Sequence, residues 1–206
     1  MRLITDIAIL IKQQEGEAIM KTVVLNLETV NLTDEQFYHL CQANQTWNLE
    51  RNQKGELLIM PPVGGNTGKQ EANLIVKVGV WNEQTQLGEV FSSSTIFRLP
   101  KGGYRSPDVA WIKRERWEAL SAEEREKFPP LCPDFVIELR SRSDSLTSLR
   151  EKMREYLASG LRLGWLINPQ QQQVEIYRLN SDGEIINLPA ILSGEDVLPG
   201  FVLNLT

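Results

Sequence analysis

Between Arg105 and Lys152 the chain places acidic and basic side chains inside runs that otherwise have the composition of buried β-strands. No other stretch restricts the fold as much. Ser106-Pro107-Asp108 runs into Val109-Ala110-Trp111-Ile112, and Pro133-Asp134 runs into Phe135-Val136-Ile137-Glu138-Leu139-Arg140. Alternate residues of a strand share a face, so Phe135, Ile137 and Leu139 are expected to point one way and Val136, Glu138 and Arg140 the other. A carboxylate in an apolar layer costs on the order of several kcal/mol unless a cation, a metal or hydrogen bonds compensate it. A second acid, Asp108, entering a neighbouring strand therefore suggests a metal site.

The rest of the chain is compatible with one domain around that stretch. No linker divides its 206 residues, and the expected organisation is an N-terminal extension over residues 1–30 followed by a single domain over residues 31–206. The net charge of −5 argues against a general polyanion-coating protein but leaves room for a local basic face. Cys41 and Cys132 are far apart, with no CxxC pair and one histidine, His39, so reduced cysteines are expected and a structural zinc site is not. The apolar run from Leu3 to Ile11 is interrupted by Asp6 and is far shorter than the roughly 18 residues a membrane span needs. The expectation is a cytoplasmic protein with no membrane partner. Residues 1–19 read either as an appended helix or as sequence upstream of a start at Met20.

Periodicity places the remaining elements. A capping signal at Asn31-Leu32-Thr33-Asp34 precedes a short helix ending near Asn44. A hairpin is expected over Trp47–Arg51 and Glu56–Met60, and a helix from about Thr67 carrying Leu74, Ile75, Val78 and Trp81 on one face. Glu71 falls within that apolar stripe, either at its rim or directed inward. Glu89–Leu99 alternates as a single strand with a serine-rich middle, and Lys101-Gly102-Gly103-Tyr104 is expected to turn it into the Asp108 strand as a second hairpin. Two short surface helices, over Arg114–Leu120 and Ala122–Lys127, lead to the Glu138 strand. A helix after Ser143 puts Leu146, Leu149, Met153, Tyr156 and Leu157 on one face and stops near Gly160. Lys152 lies beside that face, where it either snorkels to solvent or reaches back to the end of the preceding strand. Strands at Leu163–Ile167 and Val174–Arg178, a turn at Asp182-Gly183 and a final edge strand over Leu198–Leu203 complete a central mixed sheet with packed helices, an α+β fold.

Two strand carboxylates converging with a lysine suit phosphodiester hydrolysis. Mg²⁺ commonly takes one or two protein carboxylates and completes its shell with water and phosphate oxygens, so Asp108 and Glu138 suffice as ligands, with Mn²⁺ as the alternative ion. Lys152 would orient or deprotonate the attacking water and balance the charge of the reacting phosphate. Arg140 shares the Glu138 face and can supply charge but cannot act as a base. Glu71, if its helix packs across the sheet, adds a third carboxylate.

These residues resemble a known pattern. Pro107-Asp108 followed by Glu138-Leu139-Arg140 is similar to the PD-(D/E)xK signature, with Arg140 where that pattern has lysine. A wider set of segments resembles the Uma family of restriction-endonuclease-like proteins. It comprises Gly55-Glu56-Leu57, Met60-Pro61-Pro62, Gly64-Gly65-Asn66-Thr67-Gly68, Arg105-Ser106-Pro107-Asp108-Val109-Ala110 and Glu115-Arg116-Trp117. It continues with Pro133-Asp134-Phe135-Val136-Ile137-Glu138, Lys152-Met153-Arg154-Glu155-Tyr156-Leu157, Trp165-Leu166-Ile167-Asn168-Pro169 and Leu198-Pro199-Gly200-Phe201. The likeness runs from about Thr33 to the C-terminus. It implies a restriction-endonuclease-like core, a central mixed sheet flanked by helices, with an added N-terminal hairpin and C-terminal strands. It also implies Asp108 and Glu138 as the site acids, with the lysine moved from the strand to the next helix at Lys152.

The resulting expectation is a Mg²⁺- or Mn²⁺-dependent endonuclease acting on DNA, working as a homodimer so that two sites address two strands. Basic residues from Arg98 to Arg116 and from Arg140 to Arg162 form the expected phosphate-binding face, or else solvated faces with interspersed acids. Two readings compete with it. One is a catalytically silent nuclease-fold module that binds nucleic acid or a protein partner, and the other is a structural ion pair of Glu138 with Arg140 or Lys152 and no metal.

Overall fold

The computed structural model describes residues 21–27, 29–30, 32–179 and 183–206. The expected features ahead of Met20 and the Asp182 half of the expected turn lie outside the described residues. Strand β1 (Val23–Leu25) precedes helix α1 (Asp34–Ala43), strands β2 (Asn48–Arg51) and β3 (Leu57–Met60), and the long helix α2 (Gly65–Thr85). There follow β4 (Gly88–Ser92), β5 (Phe97–Arg98), β6 (Tyr104–Arg105) and β7 (Val109–Lys113), then two short helices, α3 (Arg114–Glu118) and α4 (Ala122–Glu126). Strand β8 (Phe135–Leu139) leads to helix α5 (Leu146–Ala158), and β9 (Leu163–Asn168), β10 (Gln173–Arg178), β11 (Glu184–Asn187), β12 (Ala190–Ser193) and β13 (Val202–Leu205) close the chain.

Local chemistry sets several of these limits. Thr33 caps α1 through a reciprocal box in which its hydroxyl accepts from Gln36 N–H and the Gln36 side chain accepts from Thr33 N–H. Ser145 caps α5 by accepting from Ser148 N–H, without a return bond, and Gly160 beyond its C-terminus has φ +104°, a conformation that favours glycine. The turn between β2 and β3 likewise holds Gly55 at φ +82°.

Among the described residues the strands form three sheets. The 6-stranded sheet has the order β11-β10-β9-β8-β7-β4 and is antiparallel except for β8 and β9, which run parallel and are joined through α5. The 5-stranded sheet is ordered β1-β3-β2-β6-β5, and β12 pairs with β13. This is the mixed α+β architecture expected.

Alternation along β7 and β8 sorts the large sheet into two faces. Val109, Trp111, Phe135, Ile137 and Leu139 pack with Leu74, Val78 and Trp81 of α2 and with Phe201 and Leu203 near the C-terminus. Ala110, Ile112 and Val136 pack with Met153 and Tyr156 of α5. Glu138 therefore lies on the α5 side, as its position two residues after Val136 requires.

Three expectations are corrected. Glu89–Leu99 is not one strand: it breaks at a turn in which Thr95 N–H donates to Ser92 O, and β4 and β5 belong to different sheets. The Lys101–Tyr104 turn closes β5 on β6, while the partner of β7 is β4, with Ser92 opposite Val109. The chain thus leaves the large sheet at Ser93 and re-enters it at Asp108, because small hydroxyl residues permit the first crossing and Pro107, lacking an N–H, favours the second. Finally, the last strand begins at Val202, and Leu198–Gly200 is a turn in which Phe201 N–H donates to Leu198 O. Both cysteines are free; Cys132 is buried and Cys41 only half-buried. Among the described residues no helix is long and apolar enough to cross a membrane.

Candidate active site

Asp108 and Glu138 face one another across two strands. The register that sets Val109 opposite Ile137 continues to Asp108 opposite Glu138, and directly opposed residues of antiparallel strands have Cβ atoms about 4.5–5.5 Å apart. Asp108 Oδ2 accepts a hydrogen bond from Leu139 N–H at 2.6 Å, which ties the acid to the neighbouring strand. Like charges directly opposite one another are unfavourable, so the pair needs a cation or a proton.

Lys152 supplies part of that charge from α5. It is buried, 6% exposed, and the snorkelling alternative is overturned: Met153 and Tyr156 seat the helix on the sheet so that Lys152 projects inward beneath Glu138. Its ammonium contacts Glu138 Oε1 at 2.8 Å and Glu50 Oε1 at 2.8 Å and donates to Ser106 O at 3.0 Å. Tyr156 OH donates to the same Glu138 oxygen at 3.0 Å.

Glu50 belongs to β2 of the other sheet and is 1% exposed. Its Oε1 also accepts from Ser106 N–H at 2.9 Å, and its Oε2 is 2.8 Å from Arg105 Nη1. Arg105 Nε in turn reaches Glu155 Oε2 at 2.7 Å, on the same helix as Lys152. The site therefore lies where two sheets and one helix meet, at the second chain crossing.

Electrostatics divides these carboxyls into two kinds. Burial pushes Glu138 up to about 7, with Lys152 and Tyr156 pulling it back and Glu50 adding to the rise. Burial also raises Asp108 well above the ordinary range, and the charges of Glu138 and Glu71 add to the effect. Glu50 is held below the ordinary range: burial alone would raise it, but Lys152, Arg105 and the Ser106 N–H outweigh burial. Lys152 touches both acids at the same distance, yet Glu50 alone has Arg105 as a second cation, so Glu50 is the ionised partner. Lys152 itself rises above the ordinary lysine value, because Glu138 and Glu50 together outweigh its burial. It is an ammonium at neutral pH, suited to orienting groups and balancing charge rather than to removing a proton.

The other expected residues stand further off. Glu71 on α2 accepts a hydrogen bond from Ser93 Oγ at the rim, close enough for its charge to reach Asp108. Arg140 is turned away: its Nε donates to Asp144 O and its Nη1 to Asn168 Oδ1, each at 3.3 Å. Among the described residues it makes no ion pair with Glu138, so of the two structural pairings expected the structure has the one with Lys152. Much of the expected basic face is paired with acids: Arg116 with Asp134, Arg150 with Glu175, Arg162 with Asp196 and Lys113 with Glu115.

The donor set fits one hard divalent ion. Each acid commits one oxygen to the protein, Asp108 Oδ2 to Leu139 and Glu138 Oε1 to Lys152 and Tyr156, leaving Oδ1 and Oε2 as candidate ligands. Two carboxylate oxygens with water and phosphate oxygens suit Mg²⁺ or Mn²⁺. Among the described residues no three acid, histidine or cysteine side chains converge as a cation cage, so the protein's share of the shell is this pair of carboxylates.

Glu50 is the residue that sequence reasoning missed. In Leu49-Glu50-Arg51 it alternates with buried Leu49 and reads as the solvent side of a hairpin strand. The one available signal was Arg105-Ser106 next to Pro107-Asp108, a cation that itself needs an acid.

Residues 34–206 match the model of the family described as "Uma2: Putative restriction endonuclease". Among solved structures, the chain resembles one described as a putative nuclease belonging to DUF820 from Anabaena variabilis ATCC 29413. The TM-score is 0.66 at 20% identity, covering 76% of this chain and 86% of that one, a likeness of fold. No curated protein matches the chain.

Proposed function

This chain belongs to the Uma2 family, and from that premise we propose that it is a metal-dependent endonuclease hydrolysing DNA phosphodiester bonds. The observation that carries the reading is the Asp108–Glu138 pair in register with the Lys152 ammonium 2.8 Å from Glu138. Two opposed acids with raised proton affinity beside a buried cation are disfavoured by folding alone and are accounted for by a bound ion.

Asp108 Oδ1 and Glu138 Oε2 would hold the ion. Bound there, Mg²⁺ or Mn²⁺ supplies neutralising charge at the phosphate and lowers the pKa of a coordinated water. Lys152 keeps its proton and sets a fixed positive charge beside the reacting phosphorus. Tyr156, a hydrogen-bond donor to Glu138, fixes that carboxylate so that one oxygen stays directed at the ion. Leu139 N–H does the same for Asp108. Two copies acting together would address both strands of a duplex.

The direct test is cleavage. Supercoiled and single-stranded DNA are incubated with the protein and Mg²⁺ or Mn²⁺; nicking is expected from the wild type, with loss in Asp108→Ala and in chelator. Equal cleavage by wild type and Asp108→Ala would sink the proposal. A second reading, a silent module that binds nucleic acid or protein, is favoured by the engagement of Lys152 with three acceptors. Tight DNA binding without cleavage under any metal would select it.

A further inference from the structure

Lys152 has three ammonium protons and three acceptors: Glu50 Oε1, Glu138 Oε1 and Ser106 O. Only one of the three, Glu138, is a candidate ion ligand. The other two come from elsewhere in the fold, from β2 and from the chain crossing after β6. Glu50 is itself fixed at both oxygens, by Ser106 N–H and by Arg105, and Arg105 is anchored to α5 through Glu155.

We propose that Glu50 is the positioning residue of this site: it holds the Lys152 ammonium in place from the accessory sheet, so that Lys152 stays at the reacting centre while Glu138 offers its other oxygen to the ion. The inference rests on the metal-site reading above for its purpose, but not for its test. A carboxylate of the accessory sheet thereby governs a cation that α5 brings to the large sheet. Asp108 and Glu138 would collect an ion without Glu50, but the lysine would lose one of its three acceptors and with it its fixed position.

The test observes the lysine directly. A buried ammonium held by three acceptors exchanges its protons slowly enough for a ¹H–¹⁵N side-chain signal, assigned by its absence in Lys152→Met. In the metal-free protein the signal is expected in the wild type, lost in Glu50→Gln, and retained in Glu155→Gln, which removes a partner of Arg105 but none of Lys152. Amide spectra establish that each variant is folded. Glu50→Asp, which keeps the charge and withdraws the carboxylate by one methylene, is the second variant and is also expected to lose the signal. An unaltered signal in either folded Glu50 variant, or equal loss in Glu155→Gln, overturns the proposal. With saturating Mg²⁺ the wild-type signal should shift and persist; its disappearance would likewise overturn it. If Mg²⁺ produces no shift anywhere, the metal reading fails, while the metal-free comparison still decides the role of Glu50.

Discussion

The Lys152 ammonium lies 2.8 Å from Glu138 Oε1, joining α5 to the α5-facing side of β8. Removing Lys152 takes the shared cation from two buried carboxyls, Glu138 and Glu50. Lys152→Met should therefore destabilise the protein by about 3–5 kcal/mol, read from urea unfolding. Adding Glu138→Gln should restore part of that loss, giving a coupling of about 0.5–3 kcal/mol in the double-mutant cycle. Additive effects would mean that the pair does not interact.

Protonation of Glu138 gives stability a defined pH dependence. Its carboxyl rises from an ordinary value of 4.5 to about 7 on folding. A raised carboxyl favours the fold fully below its unfolded pKa, and that contribution is lost as pH climbs through the folded pKa. In chelator, stability should fall by up to about 3 kcal/mol between pH 4.5 and 7.5. Asp108, also raised, adds in the same direction, whereas the lowered Glu50 acts below that window. Glu138→Gln should flatten the profile in unfolding titrations. Mg²⁺ should displace protons, so its affinity should increase over the same range.

Arg140 occupies the strand position where the resembled signature has lysine, but it points at Asp144 O and Asn168. Arg140→Ala should leave cleavage within a few-fold of wild type, whereas Lys152→Met should lower kcat by about 10²–10³. Plasmid-nicking rates separate the two residues, and a larger loss at Arg140 would reverse their roles.

Gly164 in β9 sets the distance between sheet and helix. A Cβ there would come within 2.5 Å of Met153 Cε and 2.8 Å of Leu161 Cδ2. Gly164→Ala should cost about 1–3 kcal/mol by overpacking and lift the α5 turn that carries Lys152. Thermal unfolding measures the cost, and an unchanged melting temperature would show that Met153 moves aside freely.

The thiols should be inert in the native state. Burial pushes Cys132 up to about 12 and Cys41 up to about 11, so little thiolate exists at pH 8. A chromogenic disulfide reagent should react with both only after denaturant is added. Prompt reaction of Cys132 in the native protein would contradict its burial.

The sequence by itself determined the parts of this protein that depend on short-range period and local chemistry. Period-2 alternation put Glu138 on the face of Val136 and opposite Phe135, Ile137 and Leu139, because strand geometry leaves no other choice. Helical spacing set Met153 and Tyr156 on one face of α5, and Gly160 marked its C-terminal end. Asp108 and Glu138 stood out because each sets a carboxylate at or inside an apolar strand, whereas spacing left Lys152 beside its helix face and only the family resemblance drew it towards the acids.

Tertiary structure alone decided the rest. Whether Lys152 snorkels or points inward depends on how closely α5 seats on the sheet, which neither propensity nor spacing encodes. The Ser93 and Asp108 crossings separate segments that alternate like one strand, because alternation specifies a face and says nothing about which sheet supplies the hydrogen-bond partner. Arg140 shares a strand face with Glu138 but sits beyond the strand end, where loop acceptors capture its long side chain. Glu50 looks like a solvent-facing residue of a hairpin until the second sheet closes over it. Its burial, and the charge it must share with Lys152 and Arg105, come from contacts 55 or more residues away along the chain, and a distance of that kind leaves no mark on local pattern.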